Sequence, residues 1–227
     1  MGPLFGVTGT VEAVMELPNV DVLKDKNNEY SLMVITKNGF SKRTPISEFK
    51  KITNPRPIIS LDDNDEVVHA SFVNNKKTKE IILFTNKGNG IRIHADNVKE
   101  YGKNAKGLGT ILLTESEYVT GAGVSDPKKD YILYITSSGN MKLTESEYFP
   151  LMERRDSPIS LIKLSQREEL IGVATLSLKD KIIIYKKIGE PITIDVKDIP
   201  IKARLSSGEK VFKLDKGDSI VSYKIFN

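Results

Sequence analysis

The sequence predicts an all-β protein in which a four-stranded unit is repeated to form a propeller-like disc. Three observations predict this fold. Apolar segments are short, rich in Ile, Val, Leu and Tyr, and mostly flanked by Gly, Asn, Asp, Ser or Pro, which is typical of strands. No long stretch sustains the 3.6-residue period of an amphipathic helix. Similar segments return about every fifty residues, which is the size of one propeller blade.

The first repeated landmark is a strand that ends in a glycine turn. Its copies are Leu32–Gly39, Ile81–Gly88 and Ile132–Gly139, with a degenerate fourth copy at Lys181–Gly189. The four glycines are 49, 51 and 50 residues apart. Because glycine adopts a positive φ without steric strain, each copy predicts a strand, a tight turn and a second strand.

The second landmark is an apolar segment that ends in leucine and precedes a polar turn and another apolar strand. Its leucines, spaced 52, 51 and 50 residues apart, are Leu61, Leu113, Leu164 and Leu214. Two landmarks with one period predict four blades, at about 29–78, 79–129, 130–179 and 180–227, that form one domain. Residues 1–28 are predicted to hold the last strand of a partial blade, Val11–Met15, and a connecting loop.

The composition excludes several classes of protein. The chain has 227 residues, 34 Lys and Arg against 30 Asp and Glu, and no Cys or Trp. Without cysteine there is no disulfide, thiolate nucleophile or zinc–thiolate site. No apolar run approaches the roughly 20 residues of a membrane helix, and the N-terminus lacks the pattern of a secretory signal. We expect a cytoplasmic protein.

Positive charge is placed at recurring points of the repeat. One group follows the glycine turn and a second lies in the loop before the leucine landmark, whereas acidic residues cluster in the later turns. In a radial arrangement, equivalent loops form a ring, so the basic residues predict a track that neutralises phosphates. The predicted DNA-binding residues are Lys42, Arg43, Arg92, Lys142, Lys103, Lys106, Arg154, Arg155, Lys50 and Lys51.

The motifs in these units are similar to those of one family. The first unit has Thr36-Lys-Asn-Gly39 followed by Lys42-Arg43, and the second has Thr85-Asn-Lys-Gly88, Arg92 and Gly102-Lys-Asn-Ala-Lys-Gly107. The third has Thr136-Ser-Ser-Gly139 followed by Lys142. Over about residues 29–227, the chain resembles the C-terminal domain of the A subunit of bacterial type IIA topoisomerases, which are DNA gyrase and topoisomerase IV.

The resemblance implies a β-pinwheel, a propeller-like disc in which neighbouring blades exchange a strand. It also implies that duplex DNA bends around a basic rim, that the DNA-cleaving tyrosine lies in a different domain, and that this chain has no catalytic residue. The implied partners are an ATPase B subunit and the rest of the A subunit, with ATP and Mg²⁺ used there and no cofactor here. The implied location is the bacterial nucleoid. Three departures from the gyrase pattern together favour topoisomerase IV: the basic box that marks gyrase is absent, there are four units and a fragment where gyrase usually has six, and only the second unit keeps the Gly-x-x-Ala-x-Gly loop.

Other functions stay open on the residues alone. A propeller that binds proteins, with incidental basic loops, is one alternative, and a glycan-active propeller enzyme with paired carboxylates is a less favoured one. The only histidines, His69 and His94, do not lie in a ligand-spaced cluster, so no metal site is predicted. The leading hypothesis is a non-catalytic DNA-binding domain.

Overall fold

A computed structural model of the protein describes residues 29–49, 57–78, 80–125, 128–129 and 131–226. It confirms the all-β, propeller-like fold. The predicted partial blade in residues 1–28 lies outside the described residues. The strands are β1 (Tyr30–Thr36), β2 (Phe40–Pro45), β3 (Val67–Asn74), β4 (Glu80–Thr85), β5 (Asn89–His94), β6 (Leu108–Gly109), β7 (Val119–Ser125), β8 (Tyr131–Thr136), β9 (Asn140–Glu145), β10 (Ile159–Ser160), β11 (Leu170–Leu176), β12 (Lys181–Lys186), β13 (Ile192–Asp195), β14 (Glu209–Lys210) and β15 (Ile220–Phe226).

Each of the first three sheets is completed by a strand from the following repeat. The first sheet has the order β3-β1-β2-β6, the second β7-β4-β5-β10 and the third β11-β8-β9-β14. In each of them the short last strand comes from the next unit along the chain. The fourth sheet, β15-β12-β13, has three strands among the described residues. The strand exchange implied by the family resemblance is therefore present.

The sheets are antiparallel and arranged around a centre. One edge of each sheet is formed by β3, β7, β11 or β15. Each of these strands contacts the equivalent strand of the neighbouring sheet. These are the inner strands, and β6, β10 and β14 at the opposite edges are the outer strands. Short 3-10 turns follow the second strand of each unit, at Ile46–Phe49, Ala95–Asn97, Ser146–Tyr148 and Val196–Asp198. In its described residues the protein has no helix long and apolar enough to cross a membrane.

The core lies between neighbouring sheets. In β4, Ile81 and Leu83 pack against the first sheet, whereas Ile82 and Phe84 pack against the third. Because side chains alternate across a strand, a strand buried on both faces is continuously apolar. This explains why the sequence shows short apolar runs in place of an alternating pattern.

The glycine turns join the first two strands of each unit. Gly88 has φ 74°, and a Cβ built on it would lie 2.8 Å from the backbone oxygen of Ile162 and 3.1 Å from the Leu164 side chain. Ile162 belongs to the segment after the outer strand supplied by the next unit. Glycine is therefore required at position 88 both by its φ and by the close approach of the following unit.

Two glutamates in the later turns hold the glycine turns in place. Although they lie in the acidic turns, Glu117 and Glu168 are buried. Glu117 accepts hydrogen bonds from the Thr85 hydroxyl at 2.7 Å and the Asn89 amide at 2.8 Å. Glu168 accepts equivalent bonds from the third unit. One acid in each of these two turns is thus structural.

The hydrogen bonds decide the ionisation of Glu168. Burial alone would raise the pKa of its carboxyl group. The hydrogen bonds from Ser138, Thr136 and Ser165 outweigh burial and lower the pKa to about 2. The carboxylate is therefore charged in the folded protein at neutral pH, and its charge strengthens the bonds that it accepts.

We expect Glu168→Gln to lower the unfolding free energy by roughly 2 kcal/mol, because a charged acceptor is replaced by a group that cannot serve all of these donors. Chemical denaturation at neutral pH measures the loss. The matched control is Glu169→Gln, since Glu169 is the exposed neighbour and its change is expected to stay within about 0.5 kcal/mol.

The same bonds predict a pH dependence. Since the folded pKa of Glu168 lies below its usual value of 4.5, its contribution to stability is fully present above pH 4.5 and is lost as the pH falls toward about 2. The stability gap between the parent protein and Glu168→Gln should narrow over that range. A gap that stays constant down to low pH would contradict this account of the turn.

Candidate nucleic-acid interface

The outer edge of the disc carries a series of loops, each running from one sheet to the outer strand of the preceding sheet. Residues 99–107, 150–158 and 200–208 lead into the outer strands β6, β10 and β14. We call these three segments the rim loops. Because the outer strands lie at the sheet edges opposite the inner strands, the rim loops that lead into them lie on the outer side of the sheets.

Neighbouring rim loops are bonded to one another through the outer strands. The Arg154 guanidinium donates to the Gly109 carbonyl in β6 at 2.6 Å, and the Arg155 amide donates to the Thr110 carbonyl at 2.8 Å. One unit further on, the Arg204 guanidinium donates to the Ser160 carbonyl in β10. The rim is therefore a continuous band that crosses from unit to unit.

Two predicted phosphate-binding lysines lie inside this band. Lys42 is fully buried, and its ammonium donates to the carbonyls of Gly102 and Lys103 at 2.7 Å each. Lys142 is also fully buried. Its ammonium lies within 2.5–3.0 Å of four backbone carbonyls, those of Leu161, Ala203, Arg204 and Ser206. Each lysine thus binds the rim loop of the following unit.

Two predicted arginines bind the following unit at another point. Arg43 donates from Nε to the Val98 carbonyl at 2.8 Å. Arg92 donates to the Phe149 carbonyl at 2.9 Å and forms an ion pair with Glu80 at 2.6 Å. Val98 and Phe149 each directly follow a 3-10 turn, so both arginines satisfy a carbonyl at the end of that turn.

This corrects the expectation that Lys42, Arg43, Arg92 and Lys142 face phosphates. Lys42, Arg43 and Lys142 are buried, the side chain of Arg92 is about nine-tenths buried, and all four donate to atoms of the next unit. In the fourth unit the corresponding residues are Ile192 and Thr193, and no later outer strand pairs with β13 among the described residues. The recurring cations therefore accompany strand exchange.

Burial also changes the ionisation of these lysines. It lowers the pKa of Lys42, and together with the nearby charges of Arg204 and Lys202 it lowers the pKa of Lys142 to about 8. Lys142 is still mainly protonated at neutral pH. A buried ammonium needs hydrogen-bond acceptors, and the carbonyls of the rim loop supply them.

The other predicted basic residues lie on the rim loops. Lys103 donates to the Glu48 carbonyl at 2.6 Å, and Lys106 forms an ion pair with Asp62 and lies over the Phe40 ring. Their side chains are partly exposed, as is Arg154. Arg155 is exposed at the tip of its loop. Lys50 and Lys51 lie outside the described residues.

Four exposed lysines on or beside the rim loops were not singled out from the sequence. They are Lys99, Lys163, Lys210 and Lys213. Like Arg155, they have no side-chain hydrogen bond or ion pair to the described residues. Lys163 lies beside the next rim loop, since its backbone amide is 3.4 Å from the Ser206 carbonyl. What these lysines share is a position near the outer strands. The sequence could reveal that position only if the strand exchange were already known. The described residues contain no cluster of three or more metal-binding side chains.

We expect Lys142→Met to lower the unfolding free energy by about 3 kcal/mol, because four backbone carbonyls lose a buried donor. Denaturation gives the stability, and hydrogen exchange should show weaker protection in residues 200–208. Lys163→Met is the matched control, since this lysine is exposed, and it should change stability by no more than about 0.5 kcal/mol. Equal effects of the two variants would contradict the structural role of Lys142.

Comparisons with known proteins agree with this architecture. The family model described as DNA gyrase C-terminal domain, beta-propeller, matches residues 30–74, 79–126, 130–177 and 192–227. The DNA gyrase A protein of Ureaplasma parvum serovar 3 is 28% identical over 204 residues, which cover 89% of this chain and 24% of the relative. The DNA gyrase A protein of Helicobacter pylori strain 26695 is 32% identical over 194 residues, covering 83% and 23%. The chain spans about a quarter of the length of these curated relatives.

Solved structures show the same fold. The C-terminal domain of DNA gyrase A superimposes with a TM-score of 0.80 at 20% identity, covering 90% of this chain and 68% of that one. The C-terminal domain of DNA topoisomerase IV gives a TM-score of 0.79 at 21% identity, covering 88% and 63%. Since the family model matches all four repeats and more than half of the chain, the protein belongs to the family of DNA gyrase A C-terminal domains.

Proposed function

We propose that this domain binds duplex DNA through its rim and bends it, without catalysis of its own. The observation that supports this most directly is the set of exposed cations on and beside the rim loops: Lys99, Arg155, Lys163, Lys210 and Lys213. They have no side-chain partner among the described residues, so their charge is available to phosphates. Lys103, Lys106 and Arg154 lie on the same loops and are proposed to add to the track.

Recognition of this kind is directed at the DNA backbone. Phosphate contacts position a protein on a duplex but carry no direct sequence information. Bending a duplex over 20–30 base pairs takes on the order of 1–6 kcal/mol, which several phosphate contacts would have to offset. We therefore propose binding that tolerates many sequences and favours deformable ones.

We further propose that DNA is contacted and bent more than it is wrapped, as in topoisomerase IV. The support is the absence of a gyrase-type basic box from the sequence and the small number of free rim cations. The curated relatives named above are gyrase proteins, and the fold is equally similar to both enzymes. The preference therefore rests on the charges, which DNA topology assays can test.

We also propose the assembly in which this domain acts. As the C-terminal part of a topoisomerase A chain, the domain would act with an ATPase B chain and with the rest of its own chain in the bacterial cytoplasm. DNA cleavage, ATP and Mg²⁺ would belong to those other parts, and this domain would use no cofactor. Its own contribution would be the geometry of the bound DNA segment.

We expect the affinity for duplex DNA to fall steeply with salt. Each phosphate contacted contributes about −0.9 to the slope of log affinity against log salt, so the five free cations predict a slope of roughly −4 to −5. Fluorescence anisotropy of a labelled duplex over a range of salt concentrations measures it. A flat slope, or no binding at low salt, would refute the DNA-binding proposal.

We expect Arg155→Glu to weaken binding about equally on unrelated sequences and to reduce the salt slope by about 1 unit. The matched control is Lys179→Glu, because Lys179 is exposed in the turn between β11 and β12 and is not part of a rim loop. This control should leave the slope unchanged. A comparable loss in both variants would show that net charge alone governs binding and that the rim is not the contact surface.

A further inference from the structure

A cleft on the rim combines exposed apolar side chains with basic ones. It lies between the end of β9 with its following 3-10 turn and the rim loop of the fourth unit, and it has a volume of about 640 Å³. Tyr148, Ile201 and Leu205 line it, and they are 55%, 52% and 59% exposed. We call this concavity the rim cleft.

The exposed apolar side chains of the rim cleft form a cluster, unlike apolar residues that are exposed singly elsewhere on the surface. Only five large apolar side chains in the described part of the chain are more than half exposed, and three of them line this cleft. Leu205 occupies the second position of the rim-loop turn, where the other two rim loops carry Asn104 and Arg155. Among the described rim loops, an apolar residue at this point is therefore particular to the fourth unit. Clustered exposure of this kind is typical of binding sites.

The polar lining points to a nucleotide. Lys202 and Arg204 form part of the same cleft, and Lys163 is adjacent because its amide faces the Ser206 carbonyl. Arg204 donates to Ser160 through one of its terminal nitrogens, which leaves its other donors for a phosphate. An aromatic ring beside cations is the combination on which proteins stack unpaired bases.

The single acid of the cleft fits the same ligand. Glu145 lines the cleft next to Tyr148, is exposed, and has no side-chain partner among the described residues. A carboxylate there would repel a phosphate, but it accepts hydrogen bonds from the amino group of a base. The cleft thus places a stacking ring and an acceptor together, with positive charge at the side.

We propose that the rim cleft binds a nucleobase unstacked from DNA that lies along the rim. Tyr148 stacks on the base, Ile201 and Leu205 cover its other side, and Arg204 with Lys163 neutralises its phosphate. This inference rests on the proposed DNA-binding function and adds a preference for distorted DNA. Unstacking a base takes less energy where pairing is already lost, so bulged duplexes are the favoured ligand.

The test compares two labelled duplexes of about 30 base pairs, one perfect and one with a single bulged 2-aminopurine. We expect the bulged duplex to bind about fivefold more tightly, and the 2-aminopurine fluorescence to fall on binding because the base stacks on the ring. Tyr148→Ala should abolish both the preference and the quenching, whereas Tyr148→Phe should retain both. Tyr185→Ala, at an exposed tyrosine of β12, is the control and should leave both unchanged.

The outcomes separate this inference from the proposed function. Equal affinity for the two duplexes without quenching would overturn the base site while DNA binding stands. A preference that survives in Tyr148→Ala would overturn it as well, since the base would then lie elsewhere. Failure of both duplexes to bind at low salt would overturn both proposals. If only the bulged duplex binds, the base site is supported and the proposal that the rim binds perfectly paired DNA is refuted.

Discussion

No sheet in the first three units is complete without the next unit. The outer strands β6, β10 and β14 have only two residues each, so their own ladder bonds hold them weakly. Cation–carbonyl bonds between units help to keep them in place: Lys42 and Lys142 bind the rim loops that lead into β6 and β14, and Arg92 binds the turn that precedes β10. A buried carbonyl that loses its hydrogen bond destabilises the fold, because no water molecule can replace the lost donor. The disc therefore depends on charges that never reach solvent.

The dependence on buried cations divides the positive charge into two populations. One joins the blades internally, and the other, such as Arg155 and Lys163, is exposed and available to a polyanion. The formal net charge of +4 counts both together. Since only the exposed population can release counterions from DNA, total charge is a poor guide to the affinity of such a domain. The position of a cation relative to the exchanged strands is a better guide.

Much of the architecture could be predicted from the sequence, because it depends on local patterns. Glycine spacing located the hairpin turns, and short apolar runs located the strands, since both follow from backbone sterics and side-chain alternation. The charged site could not be assigned in the same way. Lys42 and Arg43 sit on opposite faces of β2, and both would be exposed if the edge of β2 were open. Their burial is caused by residues 98–103, which are about sixty positions away and belong to the next repeat.

Strand exchange also has a consequence for how the protein is made. The edge of β2 is finished by β6, whose residues leave the ribosome more than sixty residues later. During translation each new blade therefore has an unpaired edge until its successor emerges, and such edges are sites of wrong pairing between chains. Lys42 in β2 and Lys142 in β9 place a charge on these edges, and a charged side chain on an open edge disfavours pairing with a foreign strand. The order of synthesis is thus the order in which the blades close, and a ribosome that pauses between repeats would leave one blade open.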